Sequence, residues 1–292
     1  IVVYCQPEEM NLKDRNFDEL AEKFQRKIYG GFKGKIRLKI LQDDLTAVFP
    51  QLLPLSAVSE QRHKNPDLNI LDAGGGTAQL SVKFAHGSHH VVVNDISAEM
   101  LKLAEASFHE NLISDQLYQL LHQPVQSLAD NYFQHFDLIL FHAVLEWLAE
   151  PEKVLQCIDR YLKPGGVLSL MFYNKHSIIL RNLLHGNFKK LKTDNFSGEG
   201  RSLTPLNPLD PEDVYAWMAA LGYQQLSKSG IRVFSDNMRP EVKQQRTEDD
   251  LLEMEEYYCR KEPYVSLGRY IHVMYKKPDN SDASQESVQD YE

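Results

Sequence analysis

Three consecutive glycines, Gly74, Gly75 and Gly76, follow an apolar run that ends in Asp72. About twenty residues on, a second apolar run (Val91, Val92, Val93) ends in Asn94 and Asp95. Glycines let a strand-to-helix turn bring its backbone against a ligand. An acid at the end of the next strand can grip ribose hydroxyls. The pairing predicts a site for a nucleoside-bearing ligand.

Nicotinamide and S-adenosylmethionine folds both use such an acid, so the choice between them rests on other residues. A dinucleotide needs a further glycine so that the helix N-terminus can approach the pyrophosphate. Here that neighbourhood reads Thr77-Ala78-Gln79, which is less open. Asp72, just ahead of the glycines, suits a cationic sulfonium and ammonium better than a pyrophosphate.

The elements that must hold these residues follow from the apolar pattern. From residue 69 onward the sequence alternates strand and helix. Strands are expected over residues 70–73, 90–94, 118–122, 136–142 and 167–173, and helices over 79–85, 98–111 and 151–162. Fully apolar strands such as Leu138-Ile139-Leu140-Phe141 suit a sheet covered on both faces. This is the pattern of a doubly wound α/β domain with a mostly parallel, Rossmann-like, seven-stranded sheet. Pro164 stops the helix over 151–162, and Gly165 and Gly166 supply positive-φ residues for the turn into the fifth strand.

Before this alternation lies a helical prelude. Phe17, Leu20, Ala21, Phe24 and Ile28 recur at helical spacing, with Asp14 or Asn16 as N-cap, and residues 35–49 read as another helix. After Tyr173 a polar, basic excursion (174–204) precedes a helix (211–221), a strand (229–234), a helix (249–260) and a last strand (270–275) that closes the sheet antiparallel. One folded domain over residues 14–277 is expected. It divides into a helical cap (14–67), a cofactor-binding half (68–173) and a substrate-side half (174–277). Residues 1–13 are read as a flexible extension and 278–292 as a disordered acidic tail.

Composition bounds the partners. The net charge is −9, but residues 278–292 hold five acids and no bases, and Glu8 and Glu9 add two acids at the other end. Residues 175–246 hold eleven bases against seven acids, a local excess that can face an anionic partner. No apolar run approaches the roughly 20 residues that cross a bilayer. Cys5, Cys157 and Cys259 are far apart with no zinc-type spacing, so incidental thiols, no metal and a reducing cytoplasm are expected.

The segment from Phe136 through Phe141-His142-Ala143-Val144-Leu145-Glu146-Trp147, with Lys163-Pro164-Gly165-Gly166 after the next helix, resembles the class I S-adenosylmethionine-dependent methyltransferases. A closer resemblance adds Asp14-Arg15-Asn16-Phe17-Asp18, Met171-Phe172-Tyr173-Asn174, Glu262-Pro263-Tyr264 and Leu267-Gly268-Arg269-Tyr270-Ile271-His272-Val273. Over nearly the whole chain the sequence is similar to the bacterial tRNA 5-carboxymethoxyuridine methyltransferases. The resemblance implies S-adenosyl-L-methionine as cofactor, tRNA as partner, and methylation of the carboxylate of a modified wobble uridine to its methyl ester. It implies cofactor contacts at Arg37, Gly74, Gly75, Asp95, Val125, Gln126 and His142; Asp72 and Gly76 join them from the glycine-turn argument. Two departures stand out. Ala78 replaces the usual glycine, tolerable if its φ stays negative, and Ser127 stands where an acid near the adenine is common.

A carboxylate is ionised at neutral pH and is itself the nucleophile, so the implied transfer needs no general base. Tyr173, Arg201, Arg232 and Arg269 are candidates to hold its second oxygen. Lys189, Lys190, Lys192, Arg201, Arg239 and Arg246 are candidates for phosphate contacts, with Phe172 or Tyr173 available to stack an extruded base. No Asp-Pro-Pro-Tyr-type motif is present, which argues against amino-group methylation. A small-molecule carboxylic acid substrate, or use of the fold as a non-catalytic adaptor, stays open at this level.

Overall fold

The apolar runs pair into one seven-stranded sheet in the computed structural model, which describes residues 14, 16, 18, 30–52, 67–193, 205 and 207–280. Strands β1 (Asn69–Ala73), β2 (His90–Asp95), β3 (Tyr118–His122), β4 (Phe136–His142) and β5 (Leu162–Tyr173) pair parallel. β6 (Gln224–Ile231) and β7 (Tyr270–Lys276) complete the order β3-β2-β1-β4-β5-β7-β6, with β7 antiparallel to both neighbours.

Helices cover both faces, as continuous apolar strands require. α1 (Gly31–Val48), α2 (Gln79–His86) and α3 (Ala98–Glu110) pack on one face, where Leu138 and Leu140 of β4 point. α4 (Pro151–Tyr161) packs on the other against Ile139 and Phe141. Two further helices, α5 (Lys175–Leu184) and α6 (Phe188–Lys192), lead out of β5, and α7 (Pro211–Ala220) returns to the α4 face. The short α8 (Pro240–Lys243), then α9 (Glu248–Tyr258) and α10 (Tyr264–Leu267), link β6 to β7. Local caps fix the helix starts: Ser97 accepts from Met100 N, Asn174 from His176 N, and Thr247 and Asp250 form a reciprocal capping box.

The register sets the functional edge. Tyr173 at the end of β5 pairs with Tyr270 at the start of β7, which pairs with Ile231 at the end of β6. The ends of β4 and β5, the end of β6 and the start of β7 therefore share one edge of the sheet.

Several expectations change. α4 stops at Tyr161 and β5 begins at Leu162, so Pro164 lies inside the strand rather than ending the helix. Of the two glycines only Gly165 has positive φ; Gly166 is needed because a Cβ there would lie 2.9 Å from the Leu162 side chain. β6 begins at Gln224, five residues before the expected start. Its polar first half is exposed at the sheet edge, where polar residues discourage pairing with another chain. Cys157 is disulfide-bonded rather than an incidental thiol, while Cys259 is a buried free thiol. The expected helix over Phe17 to Ile28, most of the acidic tail and Arg201 also lie outside the described residues.

Candidate active site

Strand order reverses around β1, whose neighbours are β2 and β4, and a crevice opens at such a point beyond the strand ends. An open cleft occupies it, with about 800 Å³ of space between atoms that includes open solvent. Seven of the nine residues expected to meet a cofactor line this space: Arg37, Gly74, Gly76, Asp95, Val125, Gln126 and His142. Asp72 and Gly75 line a smaller adjoining cleft, which also touches Arg37, Gly74, Gln79 and His142.

The glycine turn is tied to β2: Asn94 O accepts from Gly74 N at 2.8 Å and from Gly75 N at 3.1 Å. A Cβ at Gly74 would lie 2.5 Å from Val144, and one at Gly75 would lie 2.7 Å from the Asp72 carboxyl. The protein's own packing therefore requires both. At Gly76, with φ +56°, the nearest atom to a Cβ is Met100 Sδ at 4.0 Å, so this glycine serves its left-handed backbone. Ala78 is a correction: its φ is +58°, not negative, so a residue with a Cβ holds the left-handed position that glycine usually fills.

Asp95 is fixed by the same turn. Its Oδ2 accepts from Gly76 N at 3.0 Å and its Oδ1 from Ser97 N at 2.8 Å. Each oxygen keeps a lone pair for the cavity. Burial raises its pKa, and the main-chain donors at Ser97 and Gly76 oppose the shift. Asp72 is buried beneath the turn, accepts from Ser81 Oγ at 2.6 Å, and is pushed up by burial to about 6. Nearby, Thr77 Oγ1 and Gln79 Oε1 are buried with no hydrogen-bond partner among the described residues. These orphaned polar atoms at the helix start call for a polar ligand end.

The opposite wall combines Val125 and Gln126 with Met100, Trp147 and Leu148. Asp14, considered above as a helix cap and as part of the segment that carries the resemblance, also lines the cavity. It accepts from Ala149 N at 3.0 Å and from Gln126 Nε2 at 3.3 Å. Its signal lay in the Asp14-to-Asp18 segment, whose role is tertiary and so invisible to periodicity. Asn16 donates to Ile96 O, and Asp18 accepts from Ser97 Oγ, so three residues of this segment reach the rim near Asp95.

Arg37 is buried on α1 with its guanidinium 4.4 Å above the Tyr270 ring. His142 at the end of β4 has a pKa well below its ordinary value. Burial is the main cause, and the neighbouring His272 and Arg37 side chains also disfavour its charged form. Glu146, unremarked above, is buried with Oε2 unpartnered among the described residues. Burial pushes it up to about 7, against opposing main-chain donors and the charge of Arg37.

Three of the four candidate substrate-holding residues meet at the shared edge. Arg269 donates to the Tyr173 hydroxyl at 2.6 Å, and both Arg269 and Arg232 pair with Asp236. Lys33 lies 3.8 Å from the same carboxylate. Three cations thus surround one buried acid, leaving two positive charges in excess. Arg232 itself has φ +62°, a left-handed conformation of the kind that clusters at functional sites. Burial raises the Tyr173 pKa, so the hydroxyl keeps its proton and can donate onward while accepting from Arg269.

Other candidates do not converge there. Lys189, Lys190 and Lys192 are exposed together on α6, whereas Arg239 and Arg246 flank α8. Phe172 is completely buried on the opposite sheet face, and Tyr173 is buried edge-on to Tyr270. Neither ring offers a face for stacking an extruded base, which corrects that expectation.

Comparison with known proteins gives the geometry a context. The methyltransferase domain family model matches residues 71–170. The chain is 43% identical over 271 residues to the tRNA 5-carboxymethoxyuridine methyltransferase of Escherichia coli K12, covering 93% of this chain and 99% of that protein. It is 31% identical over 114 residues to a ubiquinone/menaquinone biosynthesis C-methyltransferase of Shewanella oneidensis, 38% of this chain and 44% of that one. A crystal structure of Burkholderia thailandensis 1,6-didemethyltoxoflavin-N1-methyltransferase, with bound 1,6-didemethyltoxoflavin and S-adenosylhomocysteine, aligns at TM-score 0.51 and 14% identity over 90% of this chain and 86% of its own. The 4+2 cyclase SpnF aligns at TM-score 0.50 and 18% identity over 82% and 81%. At these identities the structural likenesses speak for the fold alone.

Proposed function

The chain belongs to the tRNA 5-carboxymethoxyuridine methyltransferase family, and from that premise we propose that it esterifies the carboxylate of 5-carboxymethoxyuridine at the wobble position of tRNA. The observation that carries this reading is a cation cluster, in excess over its one acid, on the same sheet edge as the cleft lined by the glycine turn and Asp95. A tRNA substrate puts this work in the cytoplasm.

The cavity residues fit S-adenosyl-L-methionine. Arg37 would hold its carboxylate, Asp95 would accept from the ribose hydroxyls, and Val125 and Gln126 would flank the adenine. The unpartnered Thr77 Oγ1 and Gln79 Oε1, with Asp72 beneath them, offer acceptors near the ammonium end. Bound there, the donor supplies an electrophilic methyl group that a carboxylate oxygen takes up as a methyl ester.

The chain's own part is orientation. The acceptor arrives ionised, and so no residue has to remove a proton. Arg269, Arg232 and the Tyr173 hydroxyl would grip one carboxylate oxygen and leave the other aligned for attack. Such positioning can contribute up to about 7–11 kcal/mol of barrier reduction. Lys189, Lys190 and Lys192 would meet tRNA phosphates.

The test is transfer of label from methyl-labelled donor to tRNA that carries the free acid. Label that enters the tRNA and leaves as methanol after mild alkali supports the ester. Alkali-stable label would mean methylation elsewhere on the RNA. Transfer only to small acids would give the site a different substrate.

A further inference from the structure

A buried line of hydrogen bonds runs from the cavity to α1. His142 Nε2 lies 2.8 Å from Ser169 Oγ, and that oxygen lies 2.7 Å from His272 Nε2. His272 Nδ1 is 2.7 Å from Asp44 Oδ2. The other Asp44 oxygen accepts from Arg260 at 2.6 and 2.9 Å and from Ser229 Oγ at 3.0 Å. Ser169, His272 and Asp44 are all essentially inaccessible to solvent. The chain joins β4, β5, β7 and α1, and the roles proposed above use only its first member.

The proton positions along it can be deduced from one end. Burial raises the Asp44 pKa, but the contacts from His272 and Arg260 outweigh it and hold the carboxyl below its usual range. Asp44 is thus an acceptor at both oxygens, and His272 must carry a proton on Nδ1. Arg260 already balances the Asp44 charge. The arrangement that adds no further charge to this dry interior has His272 Nε2 as the acceptor. Ser169 must then donate to His272, and its oxygen must accept from His142. His142 therefore bears its proton on Nε2, and Nδ1 is left with a lone pair.

We propose that Asp44, His272 and Ser169 are positioning residues that lock His142 as the neutral Nε2–H tautomer, so that the cavity meets an imidazole that accepts hydrogen bonds. The ligand chemistry that matches is a donor group such as an ammonium or a ribose hydroxyl; a carboxylate does not match. A neutral ring also places no like charge beside a sulfonium. The same network fixes the other side of the cavity. Asp44 and Arg37 are seven residues apart on α1, two turns along one face, so the Asp44–His272 bond also anchors the helix that presents Arg37. The ligand half of this inference rests on the cavity being the donor site; the tautomer half does not.

The full chain labelled with 15N-histidine, free of ligand, tests it by long-range proton–nitrogen correlation. His142→Gln and His272→Gln variants assign the signals. The expected result is a proton on Nε2 of His142 and on Nδ1 of His272, each in a single form. A proton on Nδ1 of His142, or a doubly protonated His272, would overturn the proposal. Ser169→Ala should mix the His142 tautomers and weaken S-adenosylhomocysteine binding, read by calorimetry, roughly fivefold, the worth of one neutral hydrogen bond. Ser169→Thr should restore both. An unchanged His142 pattern in Ser169→Ala overturns the proposal, and if that variant does not fold, the parent spectrum alone decides. The expected pattern in a parent that binds no S-adenosylhomocysteine would leave the tautomer assignment standing and remove the donor reading.

Discussion

Replacing Arg269 with Gln should separate substrate recognition from donor binding. The guanidinium sits between the Tyr173 hydroxyl at 2.6 Å and Asp236 at 3.1 Å, and its loss lowers the cluster's excess from two positive charges to one. Asp236 keeps Arg232 and Lys33, so its buried charge is not stranded. What disappears is a charge-assisted, fork-shaped donor toward an anion, worth about 1.5–3 kcal/mol. At about 1.4 kcal/mol per decade, kcat/KM for tRNA carrying the free acid should fall roughly ten- to 150-fold. Arg37 and Asp95 are untouched, so S-adenosylhomocysteine affinity should stay within about twofold, a bound set by the usual additivity of separate sites. The assay is initial rate of label transfer with each substrate varied in turn, beside calorimetry for the donor product. A variant with parental kcat/KM for tRNA, or one whose whole loss appears in donor affinity, refutes the assignment of this cluster to the acceptor.

Asp95→Asn should weaken S-adenosylhomocysteine binding by about 1.5–3 kcal/mol, because the amide cannot serve Gly76 N, Ser97 N and the ribose together. Calorimetry at constant ionic strength reads it, and parental affinity would count against the ribose role. Glu146 has a folded pKa of about 7 against an ordinary 4.5, so its contribution to stability is whole below about pH 4.5 and is lost as pH rises through 7. Glu146→Gln should therefore gain on the parent by about 2–3 kcal/mol more at pH 8 than at pH 5, as urea denaturation would show. For Ala78→Gly, relief of about 1–2 kcal/mol of left-handed strain is offset by the lost buried methyl, about 0.8 kcal/mol, and by the freer unfolded chain. Its unfolding free energy should match the parent within about 0.5 kcal/mol, whereas Ala85→Gly, inside α2 at similar burial, should cost about 1–2 kcal/mol.

What could be read from the chain beforehand was whatever is local. β1, β2 and β4 announce themselves because both faces are covered and their central residues (Ile70-Leu71, Val91 to Val93, Leu138 to Phe141) are apolar. The glycine turn with Asp95 does so because short-range backbone geometry demands those residue types. β6 hid its first half since an outer strand can be polar. Ala78 misled because strain is visible only in φ. The line from His142 to Asp44 draws on residues up to 228 positions apart, and no spacing rule brings Ser169 between two imidazoles. Arg232 and Arg269 were legible as cations, but their convergence on Asp236 follows only from β6 and β7 meeting β5 in register.

Fold alone does not choose the reaction, since a 4+2 cyclase shares this architecture. What specialises this chain is how its edge handles two anions. The proposed donor and the proposed acceptor each bring a carboxylate to neighbouring positions, and a single shared cation would let either bind in the other's place. Tyr270 stands between the two sites. Arg37 lies over its ring, and Tyr173 packs edge-on at 5.1 Å with Arg269 beyond it. Each carboxylate would thus have its own guanidinium, with an aromatic wall dividing them. Opening that wall with Tyr270→Ala should cost discrimination as well as stability. Free acids such as acetate should then compete with the donor product for Arg37 in calorimetric displacement. If acetate fails to compete in a folded Tyr270→Ala protein, the ring is mere packing, and the separation of the two anions must be credited to other residues.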